Sequence, residues 1–143
     1  MSGDPWDLER FVEAQATSFA RAHAELAAAR KRTHWMWFIF PQLRGLGSSA
    51  MAERYGISGL VEAEAYLRHP LLGERLLVCT RLVCAVHDQS LREIFGSPDD
   101  LKFVSSMTLF DAAGSGVGVF ADALRQHAGA TRDAATLRLL GGV

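Results

Sequence analysis

Two stretches of the sequence place polar side chains among apolar ones, and both could supply a ligand-binding site. At residues 34–42, His-Trp-Met-Trp-Phe-Ile-Phe-Pro-Gln, a histidine and a glutamine flank an almost wholly apolar run. Around residues 105–108, hydroxyl groups interrupt a second apolar run. Buried polar groups need hydrogen-bond partners, which are the backbone, each other, water or a ligand.

Indole rings combined with hydroxyl, amide and imidazole groups suit a planar, polar small molecule such as a nucleotide or nucleoside derivative. We therefore expect one pocket in which both stretches touch the ligand. Its candidate residues are His34, Trp35, Trp37, Gln42, Ser105, Ser106, Thr108 and Asp111. His34 is the candidate for proton transfer because imidazole side chains change charge near neutral pH. Asp111 could orient it if the fold brings the two together.

Two alternatives to a ligand-binding enzyme or sensor stay open. The same polar groups could do no more than cap helices and join them through hydrogen bonds to the backbone. The protein could also be a helical interaction module without catalytic activity, whose alanine-rich first helix packs on a partner protein. The sequence does not decide whether the protein is an enzyme. A closed pocket would favour ligand binding, and a solid core with an exposed apolar patch would favour the module.

Other chemistries find little support in the spacing of residues. The histidines lack the spacing of zinc ligands; they are His23, His34, His69, His87 and His127. The glycine-rich residues 114–118 lack the Lys-Ser/Thr ending of a phosphate-binding loop, and a Gly-x-Ser-x-Gly motif is missing. Cys79 and Cys84 point apart on one predicted helix and cannot form a disulfide within it. We expect no metal ion and no cofactor.

The composition fits one globular domain over residues 1–143, with 49% hydrophobic and 22% charged residues. A formal net charge of -1 provides no broad attraction for nucleic acid or anionic lipid. The longest apolar run is too short to span a bilayer, and the N-terminal Met-Ser-Gly-Asp-Pro is unlike a signal segment. We expect a soluble cytoplasmic protein that binds neither nucleic acid nor membranes. The oligomeric state is not predicted.

Helices are expected throughout, because capping residues are frequent and the alternation typical of strands is absent. Asp4 and Pro5 are typical of a helix start, and further starts are predicted after Ser48, Ser58, Ser90, Ser97 and Thr131. The predicted helices cover residues 5–31, 49–55, 59–68, 70–87, 91–95, 98–113, 117–128 and 132–140. Residues 34–42 form either one or two helical turns or an extended crossing segment, and we favour the short helix. The fold class is therefore all-α, a compact single-domain bundle of about seven to nine helices.

The predicted helix over residues 70–87 should lie at the centre of this bundle. Its apolar residues recur at spacings of three and four and leave only a narrow polar stripe. That stripe consists of Glu74, Arg81 and Asp88. The residues expected to be almost fully buried are Leu76, Cys79 and Val83.

Long strings of the sequence resemble a bacterial family, the domain-of-unknown-function (DUF) 1810 family, whose members are sometimes mislabelled calpastatin. The strings are residues 34–42, Arg-Gly-Leu-Gly-Ser-Ser at 44–49, Ala-Tyr-Leu-Arg-His-Pro-Leu-Leu-Gly-Glu-Arg-Leu at 65–76, Ile-Phe-Gly-Ser-Pro-Asp-Asp at 94–100, and Ser-Ser-Met-Thr-Leu-Phe at 105–110. The resemblance extends over residues 7–140. It implies a compact all-helical fold and carries no established catalytic residue. Thr33 departs from the serine expected before the His-Trp pair.

We predict that Leu76→Ala lowers the free energy of unfolding by about 2 to 5 kcal/mol, because it leaves a cavity in the core. Urea unfolding followed by circular dichroism measures the change. A loss below about 1 kcal/mol would place the helix at the periphery instead.

Overall fold

Helices make up more than half of the chain that the computed structural model describes, namely residues 3–114 and 118–141. They are α1 (Glu9–Ala27), α2 (Met36–Ile39), α3 (Ala50–Arg54), α4 (Leu60–Arg68), α5 (Leu72–Cys84), α6 (Leu91–Phe95), α7 (Asp99–Ala113), α8 (Val119–His127) and α9 (Ala134–Leu139). Extended pairing within these ranges is confined to one parallel bridge between Leu43 and Ile57. The predicted all-α fold and its single-domain bundle are confirmed. Among the described helices, none combines the length and apolar character required to cross a bilayer.

The first helix is shorter than predicted at both ends. It begins at Glu9, although the Asp4 carboxylate accepts hydrogen bonds from the amides of Leu8 and Glu9 at 2.7 and 2.9 Å. The Asp4 side chain therefore accepts hydrogen bonds from amides at the start of the helix, although a turn of the chain separates it from the helix. The capping position itself is occupied by Leu8. At the other end Ala29 has a φ of 58°, which turns the chain out of the helix.

Most of the predicted capping serines and threonines do not cap. Ser90 does, in a reciprocal pair with Glu93 in which each side chain bonds the other residue's amide. Two other helices are capped by the side chains of Ser49 and Asp133. The predictions for Ser48, Ser58, Ser97 and Thr131 were wrong by one or two residues, because a capping oxygen must sit at the exact turn where the backbone becomes helical. Residues 115–117 of the glycine-rich stretch lie outside the described residues.

Two helices occupy the interior. Helix α5 packs on α1, α2, α4 and α8, and its polar stripe of Glu74 and Arg81 is exposed, as predicted. Its predicted core residues are at most 1% exposed; they are Leu76, Cys79 and Val83. Helix α7 is enclosed still further, since all of residues 105–110 are buried among α4, α6, α8 and α9.

Both cysteines are free, as expected from their positions on one helix. Burial raises the pKa of the Cys79 thiol to about 12, so this side chain stays protonated at neutral pH. Burial also raises the pKa of Cys84, which is half-buried. Neither cysteine lines the site described below.

A buried ion pair joins the start of α1 to the start of α4. Arg10 Nη2 lies 2.8 Å from Glu62 Oε2, and the two side chains are only 6% and 2% exposed. The remaining donors of the guanidinium bond the backbone carbonyls of Trp6, Asp7, Arg54 and Gly56 at 2.7 to 3.0 Å. The other carboxylate oxygen of Glu62 accepts from the amide and hydroxyl of Ser58, both at 2.8 Å. Every donor of Arg10 thus has a partner, which is what a buried charge requires.

A second buried polar cluster holds α1, α2, α4 and α5 together. Gln15 Nε2 donates to the Phe38 carbonyl at 2.8 Å and lies 3.2 Å from the Tyr66 hydroxyl oxygen. Its amide oxygen accepts from Arg75 Nη1 at 3.2 Å. Burial raises the pKa of the Tyr66 phenol well above its ordinary value, so it remains a neutral donor.

We predict that Arg10→Met lowers the free energy of unfolding by about 3 to 5 kcal/mol, because it strands the Glu62 carboxylate in the core. The double variant Arg10→Met, Glu62→Met should lose less than the two single variants combined, since no unpaired charge remains. Urea unfolding of the four proteins measures this coupling. The matched control is Arg125→Met, which breaks an exposed pair with Asp122 and should change stability by at most about 1 kcal/mol. Equal losses for Arg10→Met and Arg125→Met would contradict the structural role of Arg10.

Candidate functional site

An open cleft of about 520 Å³ lies where α2, the following loop, and the starts of α7 and α9 meet. We call it the Trp37 cleft. Its polar and aromatic lining comes from Trp37, Gln42, Ser48, Ser49, Lys102, Ser105 and Asp133. Its apolar lining includes Leu46, Pro98, Leu101 and Ala135. The mixture of one indole wall, small residues and a few polar groups is typical of small-molecule sites.

The local sequence explains why Trp37 faces this cleft. Trp35 and Met36 are each 1% exposed and anchor α2 in the core, so the next residue along the helix turns outward and is half-buried. Pro41 then follows the helix, and the chain becomes extended. The short helix therefore presents one tryptophan to the core and the other to the cleft.

The loop after α2 is held by the parallel bridge. The Ile57 amide donates to the Gln42 carbonyl at 2.8 Å, and the Arg44 amide donates to the Ile57 carbonyl at 2.7 Å. Gly56 makes this approach possible, because a Cβ there would lie 2.7 Å from the Ala52 carbonyl oxygen and 2.8 Å from Arg44 Cα. The backbone of residues 42–44 is thus fixed, and the Gln42 side chain lines the cleft.

Lys102 supplies the positive charge of the cleft. Its ammonium nitrogen lies 4.7 Å from the centre of the Trp37 ring and 3.4 Å from Asp99 Oδ1. A cation over an indole face is attracted to the negative face of the ring. The Asp133 carboxylate also lines the cleft, but one of its oxygens accepts from the amide and hydroxyl of Thr136 at the start of α9.

Three polar groups in the cleft have no protein partner among the hydrogen bonds of the described residues. They are the indole N–H of Trp37, the side-chain amide of Gln42 and the hydroxyl of Ser48. In an open cleft such groups bond water, which a ligand can displace. Ser105, by contrast, donates its hydroxyl to the Leu101 carbonyl at 3.2 Å.

The structure brings together three of the predicted pocket residues, Trp37, Gln42 and Ser105. Trp35 is instead buried, and Ser106 is buried with a hydroxyl that finds no partner in the described structure. His34 is exposed and does not line the cleft. The two predicted stretches therefore do meet, through a smaller set of side chains than the sequence suggested.

Thr108 and Asp111 serve to attach the last helix to α7. The Thr108 hydroxyl donates to the Val104 carbonyl at 2.8 Å and accepts from the Asp133 amide at 2.9 Å. Asp111 Oδ2 pairs with Arg132, at 2.5 Å from Nη2. Asp111 is thus paired with Arg132, and no hydrogen bond or ion pair in the described ranges joins it to His34.

Trp35 is held by a carboxylate that sequence reasoning overlooked. Glu25, in the last turns of α1, accepts from the Trp35 indole N–H at 2.8 Å and from the Thr33 hydroxyl at 2.8 Å. It also accepts from the amides of Arg32 and Thr33 at 2.8 and 3.1 Å. Burial alone would raise the pKa of Glu25, but these hydrogen bonds outweigh it and lower the pKa from 4.5 to about 2.

The polar cleft residues that the sequence analysis missed are Ser48, Ser49, Lys102 and Asp133. Lys102 lies three positions before Ser105 and shares its helix face, so extending the predicted stretch by one turn would have found it. Ser48 and Ser49 belong to the Gly-Leu-Gly-Ser-Ser string at 45–49, which was considered only for a helix start and as part of a family motif. No local sequence pattern indicates that Asp133 lines the cleft, because its position depends on how α9 packs against α7.

A second cavity, of about 740 Å³, lies between α5 and α8 and is lined by Arg81, Cys84, Asp122, Arg125 and Gln126 among others. Its walls lack an aromatic ring. As for metals, the described residues contain no group of three His, Cys, Asp or Glu side chains arranged to hold an ion. A third cavity, of about 360 Å³, is lined by Trp6, Arg68 and His69 among others and contains none of the predicted pocket residues. The Trp37 cleft brings three of those residues together and is therefore the better candidate site.

Fold and cleft together define a small all-α protein whose Trp37 cleft has an aromatic wall. The chain belongs to the family described as "Protein of unknown function (DUF1810)", whose model matches residues 5–140. It is similar to the crystal structure of the conserved hypothetical protein Rv1873 from Mycobacterium tuberculosis, with 56% sequence identity and a TM-score of 0.95. That match covers 96% of this chain and 99% of the other. None of the curated proteins matches this chain.

We predict that acid weakens the fold partly through Glu25. A carboxyl whose pKa is lower in the folded than in the unfolded state stabilises the fold fully above its unfolded pKa, and this contribution is lost as the pH falls. For Glu25 the window runs from 4.5 down to about 2. Urea unfolding at several pH values across this window should show a smaller acid-induced loss in Glu25→Gln than in wild type. The exposed Glu74→Gln serves as control and should lose stability as wild type does. Identical pH profiles for wild type and Glu25→Gln would contradict the prediction.

Proposed function

We propose that this protein binds a small planar, polar ligand in the Trp37 cleft, with nucleotides and nucleoside derivatives as the favoured class. The observation that carries the proposal is the convergence of an indole wall with polar groups that lack protein partners. An amide, a hydroxyl and an indole N–H can recognise the edge of a heteroaromatic ring by both donating and accepting. The half-buried Trp37 ring supplies a surface on which such a ring can stack.

The proposal concerns binding and does not assign a reaction. The residues that line the cleft include neither histidine nor cysteine, and the Asp133 carboxylate is engaged with Thr136. His34, the proton-transfer candidate from the sequence, is exposed outside the cleft. A role as a sensor or carrier of the ligand fits this arrangement as well as an enzyme does.

One observation favours the alternative of a protein-interaction module. Leu101 is 65% exposed although it lies at the edge of the cleft, and large exposed apolar side chains are typical of contact surfaces. The other large exposed apolar residues that the structure describes, Trp6, Val61 and Leu139, do not line the cleft. The Trp37 cleft is open and is not the closed pocket expected for ligand binding. The polar groups without protein partners beside Trp37 nevertheless favour ligand binding over an interaction module.

We predict that a thermal-shift screen of nucleotides, nucleosides and ADP-ribose derivatives finds ligands that stabilise wild type. Trp37→Leu should weaken the binding of such a ligand about 5- to 150-fold, because stacking of a base on an aromatic ring contributes about 1 to 3 kcal/mol. Calorimetric titration measures the affinity of each variant.

Two matched controls distinguish the cleft from the rest of the surface. Trp6→Leu removes a tryptophan that lies outside the cleft, and His34→Ala removes an exposed imidazole. Both should bind like wild type. The proposal fails if no compound of the screen stabilises wild type, or if Trp37→Leu and Trp6→Leu respond alike.

A further inference from the structure

Two lysines share one carboxylate beside the Trp37 cleft. Lys31 Nζ lies 2.8 Å from Asp99 Oδ2, and Lys102 Nζ lies 3.4 Å from Asp99 Oδ1. Each ammonium also faces an indole ring, Lys31 at 5.1 Å from the centre of Trp35 and Lys102 at 4.7 Å from that of Trp37. We call Lys31, Asp99 and Lys102 the lysine–aspartate array. The array extends from Trp35 in the core to Trp37 in the cleft, with the negative charge of Asp99 between the two positive charges.

The array carries an excess positive charge. Two cations share one anion, and the better contact of Asp99 is with Lys31, which is 7% exposed against 26% for Lys102. Because the array is largely shielded from water, its charges are screened less than those of surface pairs. Lys102, the member of the array that lines the cleft, is therefore incompletely neutralised.

The remaining charged group of the cleft is not paired with Lys102. Asp133 is the other ionised side chain among the described cleft residues, and its Oδ2 is committed to the amide and hydroxyl of Thr136 at 2.9 and 2.6 Å. No ion pair between Asp133 and Lys102 is present in the described ranges. The ammonium of Lys102 thus lacks a counter-ion of its own within the cleft.

We infer that the ligand of the Trp37 cleft is an anion, with a phosphate or carboxylate group that binds Lys102 while its planar part contacts Trp37. This inference rests on the proposed function. Lys31 acts at a distance as a positioning residue: it holds Asp99 and so leaves Lys102 free to bind the ligand. A Lys102 neutralised fully by Asp99 would offer the ligand much less attraction.

The test compares ligands that differ only in the anionic group. Adenosine with adenosine monophosphate tests phosphate, and uracil with its 6-carboxylate, orotate, tests carboxylate. Other bases are tested as nucleoside and monophosphate pairs. Calorimetric titration of wild type should give the anionic member of a pair about 10- to 100-fold tighter binding, the range expected for a hydrogen bond to a charged group. The preference should shrink at high salt.

Variants then assign the preference to the array. Lys102→Gln should abolish it, and Lys31→Gln should reduce it, although Lys31 does not line the cleft. Asp99→Asn removes the shared counter-ion and should keep or enlarge the preference. A preference that is lost in Asp99→Asn would refute the role assigned to the array, also where Lys31→Gln does not fold. The control Arg125→Gln removes an exposed cation elsewhere and should leave the preference intact.

The outcomes separate this inference from the proposed function. If both members of every pair bind equally well, or if Lys102→Gln keeps the preference, the anionic ligand is refuted and binding in the cleft stands. If Lys31→Gln folds and keeps the full preference, the positioning role of Lys31 is refuted. If neither member of any pair binds, the proposed function falls, and this inference falls with it.

Discussion

The position of the cleft depends on the buried guanidinium of Arg10. That group reaches from α1 to the carbonyls of Arg54 and Gly56, more than forty residues away along the chain. The segment it holds pairs in turn with residues 42–44 through the bridge at Ile57. One charged side chain therefore fixes the backbone that carries Gln42. Burying a charge is unfavourable unless every donor is satisfied, and the five bonds of Arg10 meet that condition.

The same guanidinium restricts the residues around it. The Glu62 carboxylate neutralises it and also binds Ser58, so one acidic side chain organises both the ion pair and the start of α4. Gly56 must remain without a side chain because the backbone of Arg44 passes beside it. Polar and steric demands thus converge on residues 54–62.

Much of the fold was predictable, because helix periodicity and capping residues are local signals. The regions of all nine described helices were anticipated, and so was the buried face of α5 at Leu76 and Cys79. The ends were harder: Ser48 and Ser49 are chemically identical candidates, and only the backbone geometry chooses Ser49 as the cap. Contacts such as Glu25 with Trp35 or Arg10 with Glu62 depend on how helices dock, which no local pattern specifies.

The candidate site was predictable to a similar degree. Trp37, Gln42 and Ser105 were chosen because they are polar or aromatic residues within apolar strings, and they do share one cleft. His34 and Asp111 were chosen by the same rule, yet the first is exposed and the second is paired with Arg132. Composition identifies residues that could bind a ligand, whereas the direction of each side chain follows from the tertiary packing.

The hydrogen bond from the Asp133 amide to the Thr108 hydroxyl has a consequence for the order in which the protein unfolds. Helix α9 has six residues, and a helix this short is not stable in water without tertiary support. Its cap residue, Asp133, is anchored to α7 through Thr108, and the preceding Arg132 is anchored through its pair with Asp111. Its amides can therefore stay protected from solvent exchange only while the middle of α7 is folded. Exchange protection that persists in α9 therefore indicates that the middle of α7 is still folded.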